Sequence, residues 1–249
     1  MSINPPATDA VSAYDLPEPD WRHYAHCPST NDLARAWALD GGAPAPHGAV
    51  VTADFQTAGR GRRGRSWSAQ PGENLLFSMI ARDVPVEWLG MACALAVADV
   101  VESFGLNTRL KWPNDVLVEA HKIAGILVES VVAGDGAVSI LGIGINVNQQ
   151  EFVVDRPSEY PPISLSSALG RDCDVRDVAV RLKSALLDHC ARLQRESVAE
   201  TAALFRGRLA VGAIVRRGGL EGRLQNITEN GEAVVSLSDG TFVTWLTVD

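Results

Sequence analysis

Long apolar runs, paired cysteines and an excess of basic charge are all missing from this sequence, and each absence narrows what it can do. No apolar stretch approaches the roughly 20 residues that a helix needs to cross a bilayer. The first nineteen residues carry neither the basic start nor the apolar core of a secretory signal. The expectation is a cytoplasmic protein with no membrane partner. Cys27, Cys93, Cys173 and Cys190 are scattered without paired spacing, so they read as reduced thiols, not as a disulfide framework or zinc site. The five histidines form no ligand pattern either, and His23 and His26 read as loop residues. A formal net charge of -8 and a pI near 5.1 argue against a general nucleic-acid binder, which normally presents a basic face. No Ser-His-Asp or Cys-His constellation, phosphate loop of the Gly-x-x-x-x-Gly-Lys-Ser/Thr type, or internal repeat is present. Chemistry on this chain need not use an enzyme nucleophile; positioning, cations and exclusion of water would suffice for a substrate carboxylate attacking ATP.

Against that acidic background stands Gly59-Arg60-Gly61-Arg62-Arg63-Gly64-Arg65-Ser66-Trp67, whose first seven residues are four arginines and three glycines. Folding gains nothing from such crowding of like charge. Glycine lets the backbone approach a ligand closely, and guanidinium forks match phosphate and carboxylate oxygens. The pattern describes a loop that orders around a polyanion, either a phosphate ligand or a nucleic acid.

Parity along Ile140–Asn148 adds a second signal. A strand there puts Leu141, Ile143, Ile145 and Val147 on one face and Gly142, Gly144, Asn146 and Asn148 on the other. The stripped face suits a flat ligand or the close packing of another element. Lys122 opens the apolar run Ile123–Val128, either as a solvated strand end or as a cation aimed at a phosphoryl group. Pro113 interrupts Lys111-Trp112-Pro113-Asn114-Asp115, so Asn114 and Asp115 fall on a turn. A lone carboxylate such as Asp115 is either a turn residue or a ligand for magnesium that ATP phosphates mainly hold.

The chain reads as an α/β (α+β) fold, with a mixed central sheet, flanking helices and a small C-terminal β-barrel. Residues 1–19, rich in Pro, Ala and Asp, read as disordered. Residues 20–208 read as the catalytic domain, and 209–249 as the small barrel. Helices are expected after Ser29-Thr30-Asn31-Asp32, over Val86–Phe104 and over Val175–Glu196. Strands are expected at Ala49–Ala53, Leu75–Ile80, Thr108–Lys111, Val116–Glu119, Lys122–Val132 and Ala137–Val147, the last four as antiparallel hairpins. Asn230-Gly231 and Asp239-Gly240 mark hairpin turns in the C-terminal part.

In order and spacing, Ser29-Thr30-Asn31, Gln56-Thr57-Ala58-Gly59 through Trp67, Lys111–Asp115, Lys122–Glu129 and Gly142–Asn146 resemble the motifs of biotin protein ligases. The resemblance runs from about Ser29 to the C-terminus. It implies a C-terminal domain similar to SH3 barrels and a two-step reaction: biotin and MgATP give biotinyl-5′-adenylate and pyrophosphate, and the adenylate then acylates one lysine of a biotin carboxyl carrier domain. It further implies that Ser29, Thr30, Asn31 and Gln56 hydrogen-bond the ureido ring of biotin. Gly59, Arg60, Gly61 and Arg62 would follow its tail, while Gly125 and Gly142 would let its bicyclic ring lie on bare sheet. Arg60, Arg62, Arg65 and Lys122 would hold the biotin carboxylate beside the α-phosphate, with Arg62 and Lys122 as the catalytic pair. Arg62, Arg65, Trp67 and Asn146 are implied on the ATP side, and Asp115 at magnesium. With fewer than thirty residues before Ser29, the resemblance is to members lacking the DNA-binding domain, and no specific DNA binding is expected. Lipoate ligases share the fold and adenylation chemistry but do not match the Gly-Arg loop or Lys111–Asp115.

Overall fold

The computed structural model describes residues 19–133, 136–153, 159–195 and 198–246, and within it the apolar runs become one seven-stranded sheet. Its strands are β1 (Trp21–Cys27), β2 (Val50–Gln56), β3 (Asn74–Arg82), β4 (Thr108–Lys111), β5 (Asp115–Val118), β6 (His121–Ala133) and β7 (Gly136–Asn146), in the spatial order β1-β2-β3-β7-β6-β5-β4. Strands β1 and β2 run parallel because helix α1 (Thr30–Ala38) supplies the crossover between them. Every other neighbouring pair is antiparallel, as the short connections from Thr108 onward require.

Alternation along β7 separates two cores. Leu141, Ile143, Ile145 and Val147 join the larger one, beneath α2 (Leu89–Glu102) and α4 (Val175–Arg195), whereas Val138 and Ile140 join the smaller one beneath α1. Helix α2 is apolar on nearly all sides because it lies between the sheet and α4. Helix α4 is amphipathic and buries Val178, Leu182, Leu186 and Leu193. Two short helices complete this part. In α3 (Leu165–Leu169) the Ser164 hydroxyl caps the Ser167 N–H and Gly170 ends the helix at φ 70°. Helix α5 (Val198–Gly207) leads toward the C-terminal strands.

Those strands are β8 (Ile214–Arg217), β9 (Leu220–Ile227), β10 (Ala233–Leu237) and β11 (Phe242–Trp245), an antiparallel meander in the order β11-β10-β9-β8. Gly218, Gly219, Gly231 and Gly240 all take positive φ at the three connections. The small C-terminal sheet expected from the sequence is present as these four strands, and β8 and β11 do not pair with each other among the described residues. Val215, Leu224, Val235 and Trp245 on the inner face merge with the larger core.

Two readings change. His23 and His26 lie in β1, an edge strand that its polar residues concealed, rather than in a loop. The helix expected at Val86–Phe104 begins as a 3₁₀ turn at Val86–Trp88 and ends at Glu102. The N-terminal segment read as disordered lies, except for residue 19, outside the described residues, as do residues 134 and 135 and the expected helix end at 196.

Candidate active site

The first turn of α1 forms a polar floor under a cleft on the α1 side of the sheet. Ser29, Thr30 and Asn31 are 3%, 4% and 4% exposed, so their polar atoms need partners inside the protein. Gln56 at the end of β2 provides one. Its Oε1 accepts from the Thr30 N–H at 2.7 Å and from the Thr30 hydroxyl at 3.1 Å, which satisfies one of the donors that a helix start leaves open. The Ser78 hydroxyl lies 2.8 Å from Thr30 Oγ1 and 2.6 Å from Asn31 Oδ1. Asn31 Nδ2 donates to Glu129 Oε2 at 2.7 Å. Sequence reasoning missed Ser78 and Glu129. Each was visible as a single polar residue at or within an apolar strand run, but nothing in one strand announces a partner on another.

Over this floor the basic loop folds back on itself. The Gly61 N–H donates to Arg65 C=O at 2.6 Å and the Trp67 N–H to Gly59 C=O at 2.9 Å, with Arg62–Gly64 as a 3₁₀ turn at the tip. Arg63 and Gly64 sit at φ 55° and 72°. A Cβ at Gly59 would collide with the Trp67 carbonyl, so the base of the loop admits only glycine. Trp67 is then laid against the sheet. A Cβ at Gly144 or Gly125 would strike its indole ring, and one at Gly142 would strike the Asn31 amide. The strip that parity leaves bare is therefore covered here by two side chains of the protein itself. Trp67 Nε1 is buried there with no hydrogen-bond partner among the described residues.

Cations gather at the opposite wall. Arg62 donates to Asn114 Oδ1 at 3.1 Å, and Asn114 Nδ2 donates to Ile126 C=O at 3.1 Å. Lys122 at the head of β6 pairs with Asp115 Oδ1 at 2.6 Å and stands 5.8 Å from the Trp67 ring centroid. Burial pulls the Arg62 guanidinium below its ordinary pKa; Arg63 and Arg65 add to this as like charges, while Asp115 opposes it. Burial likewise lowers the Lys111 ammonium, which lies 4.6 Å from the Tyr160 ring centroid. Desolvated cations of one sign held together favour an incoming anion.

The structure brings Ser29, Thr30, Asn31, Gln56, Arg60, Gly61, Arg62, Arg65, Trp67, Lys122, Gly125 and Gly142 onto one cleft, together with Asn114. Gly59, Asp115 and Asn146 are not on its wall. Asp115 acts on the cleft through Lys122. Asn146 Nδ2 donates to Ile163 C=O at 3.1 Å, while Lys122 exchanges backbone hydrogen bonds with Pro161 and Ile163; together they fasten residues 161–163 along the start of β6. Arg60 turns its guanidinium to Asp32 and Glu129. Among the described residues no three His, Cys, Asp or Glu side chains could together hold a metal ion. The donor set around Asp115 fits a magnesium ion only where phosphate oxygens supply most of the ligands.

A profile of the Biotin/lipoate A/B protein ligase family matches residues 25–146. The bifunctional ligase/repressor BirA of Bacillus subtilis (strain 168) is 45% identical over 138 residues, 52% of this chain and 42% of that protein. The chain thus spans less than half the length of that relative. The biotin--[acetyl-CoA-carboxylase] ligase of Paracoccus denitrificans is 32% identical over 203 residues, 68% of this chain and 84% of that one. A biotin protein ligase from Aquifex aeolicus, solved in complex with biotin and ATP, superposes with a TM-score of 0.73 at 26% identity, covering 91% of this chain and 95% of that one.

Proposed function

Since the chain belongs to the biotin protein ligases of the biotin/lipoate A/B protein ligase family, we propose that it joins biotin to ATP as biotinyl-5′-adenylate and passes the biotinyl group to one lysine of a biotin carboxyl carrier domain. The observation that carries this reading is the meeting of the basic loop, the Lys111–Asp115 turn and the head of β6 in one cleft. Arg62 reaches Asn114 across 52 residues of sequence, and Lys122 stands between Asp115 and Trp67.

The first step is an in-line attack of the biotin carboxylate on the α-phosphorus of ATP, with pyrophosphate leaving. Two anions must approach each other, so the largest service is charge neutralisation that is already in position. Arg62, Arg65 and Lys122 supply it. Thr30, Asn31 and Gln56 orient the ureido ring. Their present partners on one another and on Ser78 keep them paired when the site is empty. Magnesium would neutralise the leaving phosphates, with Asp115 as the candidate carboxylate to help hold it. Asn146 serves the ATP side through the 161–163 segment that it fastens. In the second step the carrier lysine, as the free amine, attacks the carbonyl carbon of the mixed anhydride and AMP leaves. Both steps need water kept out, which a closed loop with Trp67 at its base achieves.

The four cysteines are free and buried, and no described helix is long and apolar enough to cross a membrane; both fit an enzyme of the cytoplasm. ATP–pyrophosphate exchange measured with biotin, with lipoate and with no acid tests the assignment. Exchange that depends on biotin alone supports it, and exchange driven by lipoate would move the chain to the other branch of the family.

A further inference from the structure

Resting on that reading, we propose that Asp32 and Glu129 form a latch for the basic loop, and that Asp32 is a positioning residue whose carboxylate sets how long biotinyl-adenylate is retained. The Arg60 guanidinium belongs by sequence pattern to the anion-binding set, yet it is engaged elsewhere. It meets Asp32 fork to fork, Nη1 to Oδ2 and Nη2 to Oδ1 both at 2.7 Å, and Nη2 also lies 3.3 Å from Glu129 Oε2. Such bidentate pairing fixes direction as well as distance. Each partner shifts the other: Arg60 holds the Asp32 carboxyl below its ordinary range, and Asp32 raises the guanidinium. Arg35, one turn along α1, closes the cluster by lying 3.2 Å from Glu129 Oε1.

Contacts of different kinds hold the loop to the body of the protein. Trp67 is packed on glycines at the base, and Arg62 is partly buried against Asn114. The Arg60–Asp32 pair is more open than these, with side chains 37% and 46% accessible. An ion pair that open to water is weak and screened by salt, which makes it the fastening that yields first. Glu129 gives the latch a link to the substrate. Its Oε2 accepts from Asn31 in the floor and lies against Arg60 in the loop, so one carboxylate oxygen serves both. Loss of the Asp32 carboxylate leaves the cations facing the phosphates in place. It should therefore speed opening without slowing adenylation.

The test uses the full chain with Asp32→Asn and Asp32→Glu. Biotin-dependent ATP–pyrophosphate exchange reads formation of the intermediate, and release of radiolabelled biotinyl-adenylate reads its retention across a sodium chloride series. Asp32→Asn should keep exchange within about twofold of wild type and release the adenylate about three to five times faster at low salt, the scale of an exposed ion pair. Asp32→Glu, which keeps a carboxylate able to reach Arg60, should restore slow release. The gap between Asn and wild type should close as salt screens the wild-type pair. Wild-type release from Asp32→Asn at low salt, or equally fast release from Asp32→Glu, overturns the latch while exchange leaves the ligase reading standing. Absence of biotin-dependent exchange in the wild-type chain would overturn the ligase reading and the latch with it.

Discussion

Replacing Lys122 with alanine tests the adenylation site at its best-defined cation. The ammonium pairs with Asp115 at 2.6 Å, and the two side chains are 26% and 17% exposed. Removing it has two consequences of different size. Loss of one fixed charge facing a developing anion costs about 2.7–4 kcal/mol of barrier, by analogy with an oxyanion-hole donor. At about 1.36 kcal/mol per tenfold, that is roughly 10²–10³ in the rate of adenylate formation. The stability loss is smaller. Stripping one partner from a fully buried ion pair costs ~3–5 kcal/mol, but Asp115 keeps some access to water and to the field of Arg62, so about 1–2 kcal/mol is expected. That corresponds to a melting shift of roughly 2–8 °C for a domain of this size, and the variant stays folded at assay temperature. The interaction forms with charge that develops in the transition state, so kcat should carry the loss and KM for biotin should move little. Biotin-dependent ATP–pyrophosphate exchange, with a thermal melt on the same preparation, gives both numbers. A folded variant whose exchange stays within about threefold of wild type would refute the role, since a factor that small is under 1 kcal/mol.

Arg62→Gly should release biotinyl-adenylate roughly ten to a hundred times faster, the scale of a lost charged hydrogen bond, and so label lysines on bystander proteins; unchanged labelling with a diminished salt slope for RNA or DNA binding would favour a nucleic-acid arm instead. Gly144→Ala places a methyl in the Trp67 indole, so a cost of about 1–3 kcal/mol is expected in a urea titration; a variant as stable as wild type would mean that the ring does not rest on β7. Burial holds His23 below its ordinary pKa of 6.5, against the opposing pull of Asp54, so the unfolded chain takes up the proton first. Its contribution to stability is then complete above 6.5 and declines as pH falls below that value. The urea midpoint of wild type should drop more than that of His23→Gln between about pH 7 and pH 5, and a parallel decline in both proteins would assign the effect to other groups.

Where periodicity is strong, the sequence and the structure agree: the alternation in β7, the face of α4 and the glycine dipeptides at the C-terminal turns are local signals. Strand β1 escaped because it is an edge strand with only His23 and Cys27 deeply buried, so its residues alternate weakly. What backs the C-terminal sheet is hidden from the sequence for another reason. Whether four strands close on themselves or lean on a neighbour depends on what lies across from Val235 and Trp245, and no window of sequence contains that neighbour.

The site divides along the same line. Clustered arginines, bare glycines and a lysine at a strand head are visible one segment at a time, and Arg60, Arg62, Arg65, Gly125, Gly142 and Lys122 among them line the cleft. What each group touches is set by pairs that are remote in sequence. Asn31 finds Glu129 98 residues away, and Arg60 finds Glu129 across 69. These pairings decide which of the loop's arginines stay available to a phosphate. Arg60 is committed to carboxylates of α1 and β6, and Arg62 remains as the half-buried cation of the cleft. Arginines that look equivalent in the sequence therefore differ in the structure: Arg60 pairs with carboxylates, while Arg62 meets the Asn114 amide in the cleft. On the proposed function, a substitution at Arg60 should be read first as a change in loop closure, and one at Arg62 as a change in charge at the reacting phosphate.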